Sequence, residues 1–156
     1  MATIRQIDHS TVGNALDWST ILHAIESGHK RPHATIGDQF LQRGDDTLLS
    51  RSAWIDGLGF GVKSVSVMPK NNQHGLPSVQ GAMLVFDDND GTLRAILDSD
   101  LVTRWKTAGD SVLGARLLAR PDSKRLLIVG AGVVAGTLVK AYSEIFPGLT
   151  HIGIWN

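Results

Sequence analysis

At 156 residues, 42% of them hydrophobic, the chain has the length of about one domain and enough apolar content for a core. Fifteen basic and fifteen acidic residues cancel, and with no basic run or aromatic-interleaved patch neither nucleic acid nor an anionic membrane is an expected partner. The absence of cysteine excludes disulfides and thiolate metal sites, no apolar stretch is long enough to span a bilayer, and the N-terminus lacks a charged segment followed by an apolar one, so a cytoplasmic enzyme or binding protein is expected.

Ile4 and Ile7 mark a short strand near the start. Asp17 is placed to cap a helix that carries Trp18, Ile21, Leu22 and Ile25 on one face and ends at Gly28. The basic connection Lys30-Arg31-Pro32-His33 follows, and its proline forbids helix continuation. His23, His29 and His33 match no spaced ligand motif and have no acidic partner at metal spacing, so they read as surface or capping residues and no metal site is expected.

From Thr47 the sequence turns strand-like through Leu48, Leu49, Ala53, Trp54 and Ile55, and Gly57-Leu58-Gly59-Phe60-Gly61 leads into a strand over Val62–Val67. Alternation puts Phe60 and Val62 on one face with Ser64 and Ser66, and Lys63 on the other with Val65 and Val67. A lysine among valines has two readings, a snorkelling side chain on a half-exposed strand or a cation at the floor of a site for an anionic group, and pattern alone does not choose between them. The polar loop 69–78 precedes a strand over Val79–Phe86, and Asp87-Asp88-Asn89-Asp90-Gly91 is turn chemistry joining it to a strand over Thr92–Leu97. A calcium loop is excluded there: with Gly91 as the invariant glycine, Phe86 would stand at the first ligand position and Leu97 at the last.

Asp98 or Ser99 can cap a long helix from Asp100 to about Ala119, with Leu101, Val102, Trp105, Val112, Leu113, Leu117 and Leu118 as its apolar stripe. The polar turn Arg120-Pro121-Asp122-Ser123 is the one obvious boundary. Beyond it, Leu126–Val129 is an uninterrupted apolar run of the kind a strand buried on both faces needs, and Gly130-Ala131-Gly132-Val133-Val134-Ala135 fits the G-x-G-x-x-A form of the dinucleotide fingerprint. Gly130 permits the tight turn, Gly132 lets backbone N–H groups approach a pyrophosphate, and Ala135 allows close helix–strand packing. Val134, Leu138, Val139, Tyr142 and Ile145 recur at helical spacing, Pro147-Gly148 stops the helix, and His151–Trp155 reads as a second strand. Strand, glycine turn, helix and strand in this order make the start of a Rossmann unit.

Gly61-Val62-Lys63, Gly75-Leu76-Pro77-Ser78, Trp105-Lys106-Thr107-Ala108, Ala119-Arg120-Pro121-Asp122 and the fingerprint stand in the order found in one family. From about Thr47 to Asn156, and more loosely before, the chain resembles the ornithine cyclodeaminase and mu-crystallin family, and within it the reductases of cyclic ketimine acids. The resemblance implies an α/β fold: a mixed α+β substrate-binding and dimerisation domain over 1–120, lacking its C-terminal return, then the first βαβ of a Rossmann NAD(P)-binding domain over 121–156. It implies that Lys63 meets the substrate carboxylate, that Ser78 supplies a hydroxyl near the cofactor, and that Lys106 stands where ornithine cyclodeaminases place a carboxylate-binding arginine. Arginine binds a carboxylate bidentately and lysine does not, which speaks against ornithine cyclodeamination. Arg31 and Arg51 are both candidates for a further carboxylate contact, and Thr107 joins Gly130 to Ala135 on the cofactor side.

The function implied is NAD(P)H-dependent reduction of a cyclic imino acid, pyrroline-2-carboxylate or piperideine-2-carboxylate, to proline or pipecolate by a homodimer. The alternatives are NAD-dependent ornithine cyclodeamination and a non-catalytic, mu-crystallin-like protein that binds NADPH and a small ligand. An acidic residue closing the second fingerprint strand would hold the ribose 2′-hydroxyl, but Asn156 stands there, and a neutral side chain does not repel a 2′-phosphate, so NADPH is expected in preference to NADH or NAD. The sequence stops at Asn156, and the family's catalytic aspartate, nicotinamide contacts and returning C-terminal segment would lie beyond it. A truncated or interrupted product, or a piece of a longer chain, inactive by itself, is therefore expected.

Overall fold

A computed structural model describes residues 3–12 and 15–156. The elements run β1 (Arg5–Ile7), α1 (His9–Val12), α2 (Trp18–His29), β2 (Thr35–Arg43), β3 (Asp46–Ile55), β4 (Gly59–Val67), a 3-10 turn (Pro69–His74), β5 (Val79–Phe86), β6 (Leu93–Asp98), α3 (Ser99–Leu118), β7 (Arg125–Val129), α4 (Val133–Ile145) and β8 (His151–Trp155). Among the described residues no helix is both long and apolar enough to cross a membrane. The chain forms two compact units, one of residues 1–13 and 31–102, the other of 14–30 and 103–156. They part inside α3, whereas the sequence places its polar turn at 120–123.

The first unit is a six-stranded sheet in the order β1-β6-β5-β4-β3-β2. Its strands β2 to β6 are successive antiparallel neighbours, and β1 lies parallel to β6 at the far edge. Gly44, at φ +58°, opens the two-residue loop between the paired Arg43 and Asp46, the glycine-first arrangement such hairpins use. The strand β2 was not expected from the sequence. All nine of its residues are exposed, so it carries no alternation between a buried and a solvated face.

A close approach fixes the middle of this sheet. A Cβ on Gly81 would run into the backbone of Ser64 and come within 2.8 Å of Val65 Cα, so only glycine lets β5 lie this near β4. The loop between them is more ordered than a plain polar loop. Its 3-10 turn ends at Gly75 in the left-handed region (φ +69°), whose N–H reaches the carbonyls of Asn71 and Asn72. The Asp87–Asp90 carboxylates are consumed by turn geometry: Asp87 accepts from the Asn89 N–H and from Arg94, Asp88 from Trp54 Nε1 and the Gly57 N–H, and Asp90 from the Thr92 N–H.

The second unit packs α2, most of α3 and α4 with the parallel pair β7-β8. Asp17 caps α2 as expected, its Oδ1 accepting from the Thr20 N–H at 2.8 Å. Trp18, Leu22, Ala108, Val112, Leu113 and Ala141 form the core, with Trp18 and Trp105 ring centroids 4.2 Å apart. Gly109 lets α2 lie against α3, since a Cβ there would come within 2.7 Å of Ile25 Cδ1.

Two expectations are corrected here. Leu117 and Leu118 are not part of the buried stripe of α3; they are 66% and 87% exposed, because the helix runs past its packing partners in its last turn. Likewise β7 is not buried on both faces. Ile128 is buried but Leu127 and Val129, which alternation puts on the other face, are 64% and 70% exposed, so only one face of β7 is covered.

Candidate functional site

On the sheet, the lysine suspected from alternation stands where the register puts it. Lys63 on β4 is opposite Arg51 on β3 and Met83 on β5, and directly opposed residues share a face. That face also carries the buried Val65, and Lys63 itself is half-buried. Gly61, two residues before it on the same face, is bare, and a Cβ there would meet Met83 Cε at 3.1 Å and Leu84 O at 3.0 Å. Lys63 therefore lies on a partly buried face, with the Arg51–Asp38 pair on one side and Met83, Val65 and the bare Gly61 on the other. Attraction between it and a carboxylate is stronger there than on an open surface, because less water screens it.

Arg51 is brought beside Lys63, and it is already engaged. Its Nε and Nη2 both donate to the Asp38 carboxylate at 2.6 Å, and these bonds hold the Asp38 carboxyl below the usual carboxylate range and raise Arg51. Asp38 was missed with the rest of β2, for no residue pattern singled it out. Arg31 lies elsewhere: its Nη1 donates to the Gly57 carbonyl at 3.0 Å, in the turn that joins β3 to β4 beyond the Ile55–Gly59 pair. From Gly59 to Lys63 is roughly 13 Å of strand. Ser78 closes the loop before β5, its Oγ donating to Asn72 Oδ1 at 2.8 Å while its carbonyl accepts from the Met68 N–H at 2.7 Å.

In the second unit the fingerprint forms a turn between β7 and α4. Gly130 sits at φ +109°, a conformation glycine adopts without penalty, and its N–H donates to the Trp155 carbonyl at 2.7 Å. Gly132 is the N-cap of the thirteen-residue α4, and no side chain caps the helix. A Cβ at Gly132 would find nothing within 4 Å, so the space a dinucleotide pyrophosphate needs against the backbone is open. Ala135, by contrast, is buried. The parallel register Val129–Trp155 places Asn156 at the same sheet edge as Gly130, the edge at which an adenosine ribose is held in such units. The turn, the uncapped helix end and the open cradle together fit a dinucleotide.

With this geometry the sequence profile of the ornithine cyclodeaminase/mu-crystallin family matches residues 52–156. The chain belongs to this family. It is 56% identical over 140 residues to a Δ1-pyrroline-2-carboxylate reductase of Paracoccus denitrificans, covering 90% of this chain and 44% of that protein. It is 33% identical over 94 residues to the mouse ketimine reductase mu-crystallin, covering 60% of this chain and 30% of that protein. The fold matches that of a Thermococcus litoralis Δ1-pyrroline-2-carboxylate reductase, solved in complex with NADH and L-proline, with a TM-score of 0.83 at 24% identity, over 97% of this chain and 49% of that one. The chain spans about half the length, or less, of these relatives.

The remaining residues singled out by the ornithine cyclodeaminase/mu-crystallin resemblance, Lys106 and Thr107, are exposed on α3 and belong to the same unit as the glycine turn. Lys106 pairs with Asp110 one helical turn on. Lys63, Arg51, Arg31 and Ser78 belong to the sheet unit. Within each unit the structure brings Arg51 to Lys63 and Asn156 to Gly130; Arg31 and Ser78 instead brace the loops at the ends of the sheet.

Proposed function

We propose that this chain carries the substrate-carboxylate and pyrophosphate elements of an NAD(P)H-dependent reductase of cyclic imino acids, with pyrroline-2-carboxylate or piperideine-2-carboxylate as substrate. One observation carries the reading: the 140-residue similarity to the Paracoccus reductase is so long, in a chain of 156, that it takes in both the Lys63 strand and the Gly130–Ala135 turn. The two elements have separate duties. Lys63 holds the carboxylate of the imino acid and so fixes which atom of the ring is presented for reduction. Arg51 contributes when its guanidinium is shared between Asp38 and the substrate, while Arg31 and Ser78 keep the flanking loops in place. Lys106 and Thr107 keep the carboxylate and cofactor contacts that the resemblance gives them.

The N-terminus of α4, with Gly132 bare, receives the pyrophosphate through N–H groups and the helix dipole. NAD(P)H, when bound, supplies the hydride for reduction of the imine carbon. Asn156, lacking a charge that would repel a 2′-phosphate, favours NADPH. The sheet unit forms the dimer contact, and residues 121–156 begin the nucleotide-binding domain.

Titrating NADPH and NADH into the protein by tryptophan fluorescence tests the cofactor side, with tighter binding of NADPH expected and a clear NADH preference overturning that choice. The substrate side is tested with Lys63→Ala in a form that spans the length of its relatives. A fall of kcat/KM for pyrroline-2-carboxylate by at least tenfold is expected, and an unchanged value removes Lys63 from the site. Ammonia release from ornithine in the same assay would instead favour cyclodeamination.

A further inference from the structure

The second unit has a half-open cavity of about 510 Å³ at the end of β7 opposite to the glycine turn, within the size range of small-molecule sites. β7 is short, so its two ends are separated by roughly 13 Å. One wall is aromatic: Tyr142 and Phe146 line the cavity, their rings stacked with centroids 5.5 Å apart, and the Tyr142 hydroxyl is occupied outside by the Ser111 carbonyl at 3.2 Å. Arg116, Arg120 and Arg125 line the cavity as well.

These arginines are not equivalent. Arg116 is answered by Glu26 at 2.6 Å, and Arg120 by Asp122 in a two-pronged pair at 2.8 and 3.1 Å. Arg125 makes no ion pair among the described residues. The last turns of α3 and α4 both flank the cavity, and cations near helix C-termini offset their partial negative charge. That accounts for Arg116 on α3; Arg125 lies on the strand, in addition to it. A cavity lined by two stacked aromatic rings and by a guanidinium that makes no ion pair among the described residues suits a flat ring bearing a carboxylate.

We infer that this cavity binds a small aromatic carboxylate, its ring against Tyr142 and Phe146 and its anion on Arg125, at a place separate from the nucleotide turn. The inference is independent of the reductase reading, because none of the cavity's residues belongs to that machinery. Benzoate and indole-3-carboxylate are the probes, followed by ligand-observed NMR and calorimetry, with benzamide as the uncharged isostere. Saturable binding of at least one carboxylate is expected, with benzamide at least tenfold weaker. Arg125→Met should weaken the carboxylate at least tenfold, and Ala119→Phe, which fills the cavity, should abolish binding while NADPH binding and thermal midpoint stay at their wild-type values. The inference is overturned if neither carboxylate binds saturably, if benzamide binds as well as they do, or if both variants bind like the wild type.

Discussion

Gly130 and Gly132 stand two residues apart in one motif and do different physical work. Gly130, at φ +109°, is there for the backbone: any side chain would be strained by on the order of 1–3 kcal/mol. Gly132 has φ −76° and ψ −174°, a conformation open to every residue, and empty space where its Cβ would stand. Folding alone does not require glycine at 132. Serine there would be a better N-cap by a few tenths of a kcal/mol, since its hydroxyl would accept one of the unpaired N–H groups of α4. The same hydroxyl would occupy the pyrophosphate cradle and take the N–H that should serve it. Gly132→Ser is therefore expected to leave the thermal midpoint unchanged or slightly raised and to weaken NADPH binding at least tenfold, by differential scanning fluorimetry and fluorescence titration. Unchanged affinity would mean that Gly132 serves only the turn.

At the scale of elements, the sequence revealed those strands and helices whose two faces differ. The patterns of Val79–Phe86 and His151–Trp155 predict these strands at their observed bounds, and spacing predicts the Asp17 cap and the Lys63 face. Nothing announced β2, because a strand exposed along its whole length has no periodicity to read, and Asp38, the carboxylate that holds Arg51, was hidden with it. Leu117 and Leu118 fit a helical stripe, yet a stripe has to meet a partner to be buried. The exposure of β2 has its own consequence. Ile36, Phe40 and Leu41 are 61%, 59% and 54% exposed on an edge strand, a surface that proteins usually cover or charge. As the sheet unit is proposed to form the dimer contact, Phe40→Lys, at the middle of β2, should raise the dimer dissociation constant at least tenfold in sedimentation equilibrium without changing the far-ultraviolet spectrum. A wild-type chain that sediments as a monomer at all concentrations would remove the dimer from the proposal.

For the whole molecule, the distribution of carboxylates sets how stability responds to acid. Both units hold their acids in the charged form: Asp38 on Arg51, Asp87 on the Asn89 N–H and Arg94, and Asp8 on Ser10 and the Thr11 N–H in one; Asp17 on the Thr20 N–H, Glu26 on Lys30 and Arg116, and Asp122 on Arg120 in the other. Each of these pKa values lies below its ordinary value, so each contribution is fully present above the usual carboxylate range and is lost as pH falls through the depressed value. The urea midpoint should then be flat between about pH 5 and 7 and fall below about pH 4. Salt separates the two kinds of partner. At 1 M salt the screening length is about 3 Å, which weakens the exposed arginine and lysine pairs but leaves the backbone N–H bonds of Asp17 and Asp8 in place. Part of the acid slope should therefore disappear in 1 M salt, and part should remain. Asp17→Asn isolates the remainder, because asparagine caps as well as aspartate and does not titrate. It should leave the midpoint at pH 7 unchanged and shrink the fall below pH 4 even in 1 M salt. A midpoint that rises toward pH 3, or an acid slope that salt removes entirely, would show that the caps do not hold their charge in the way their geometry requires.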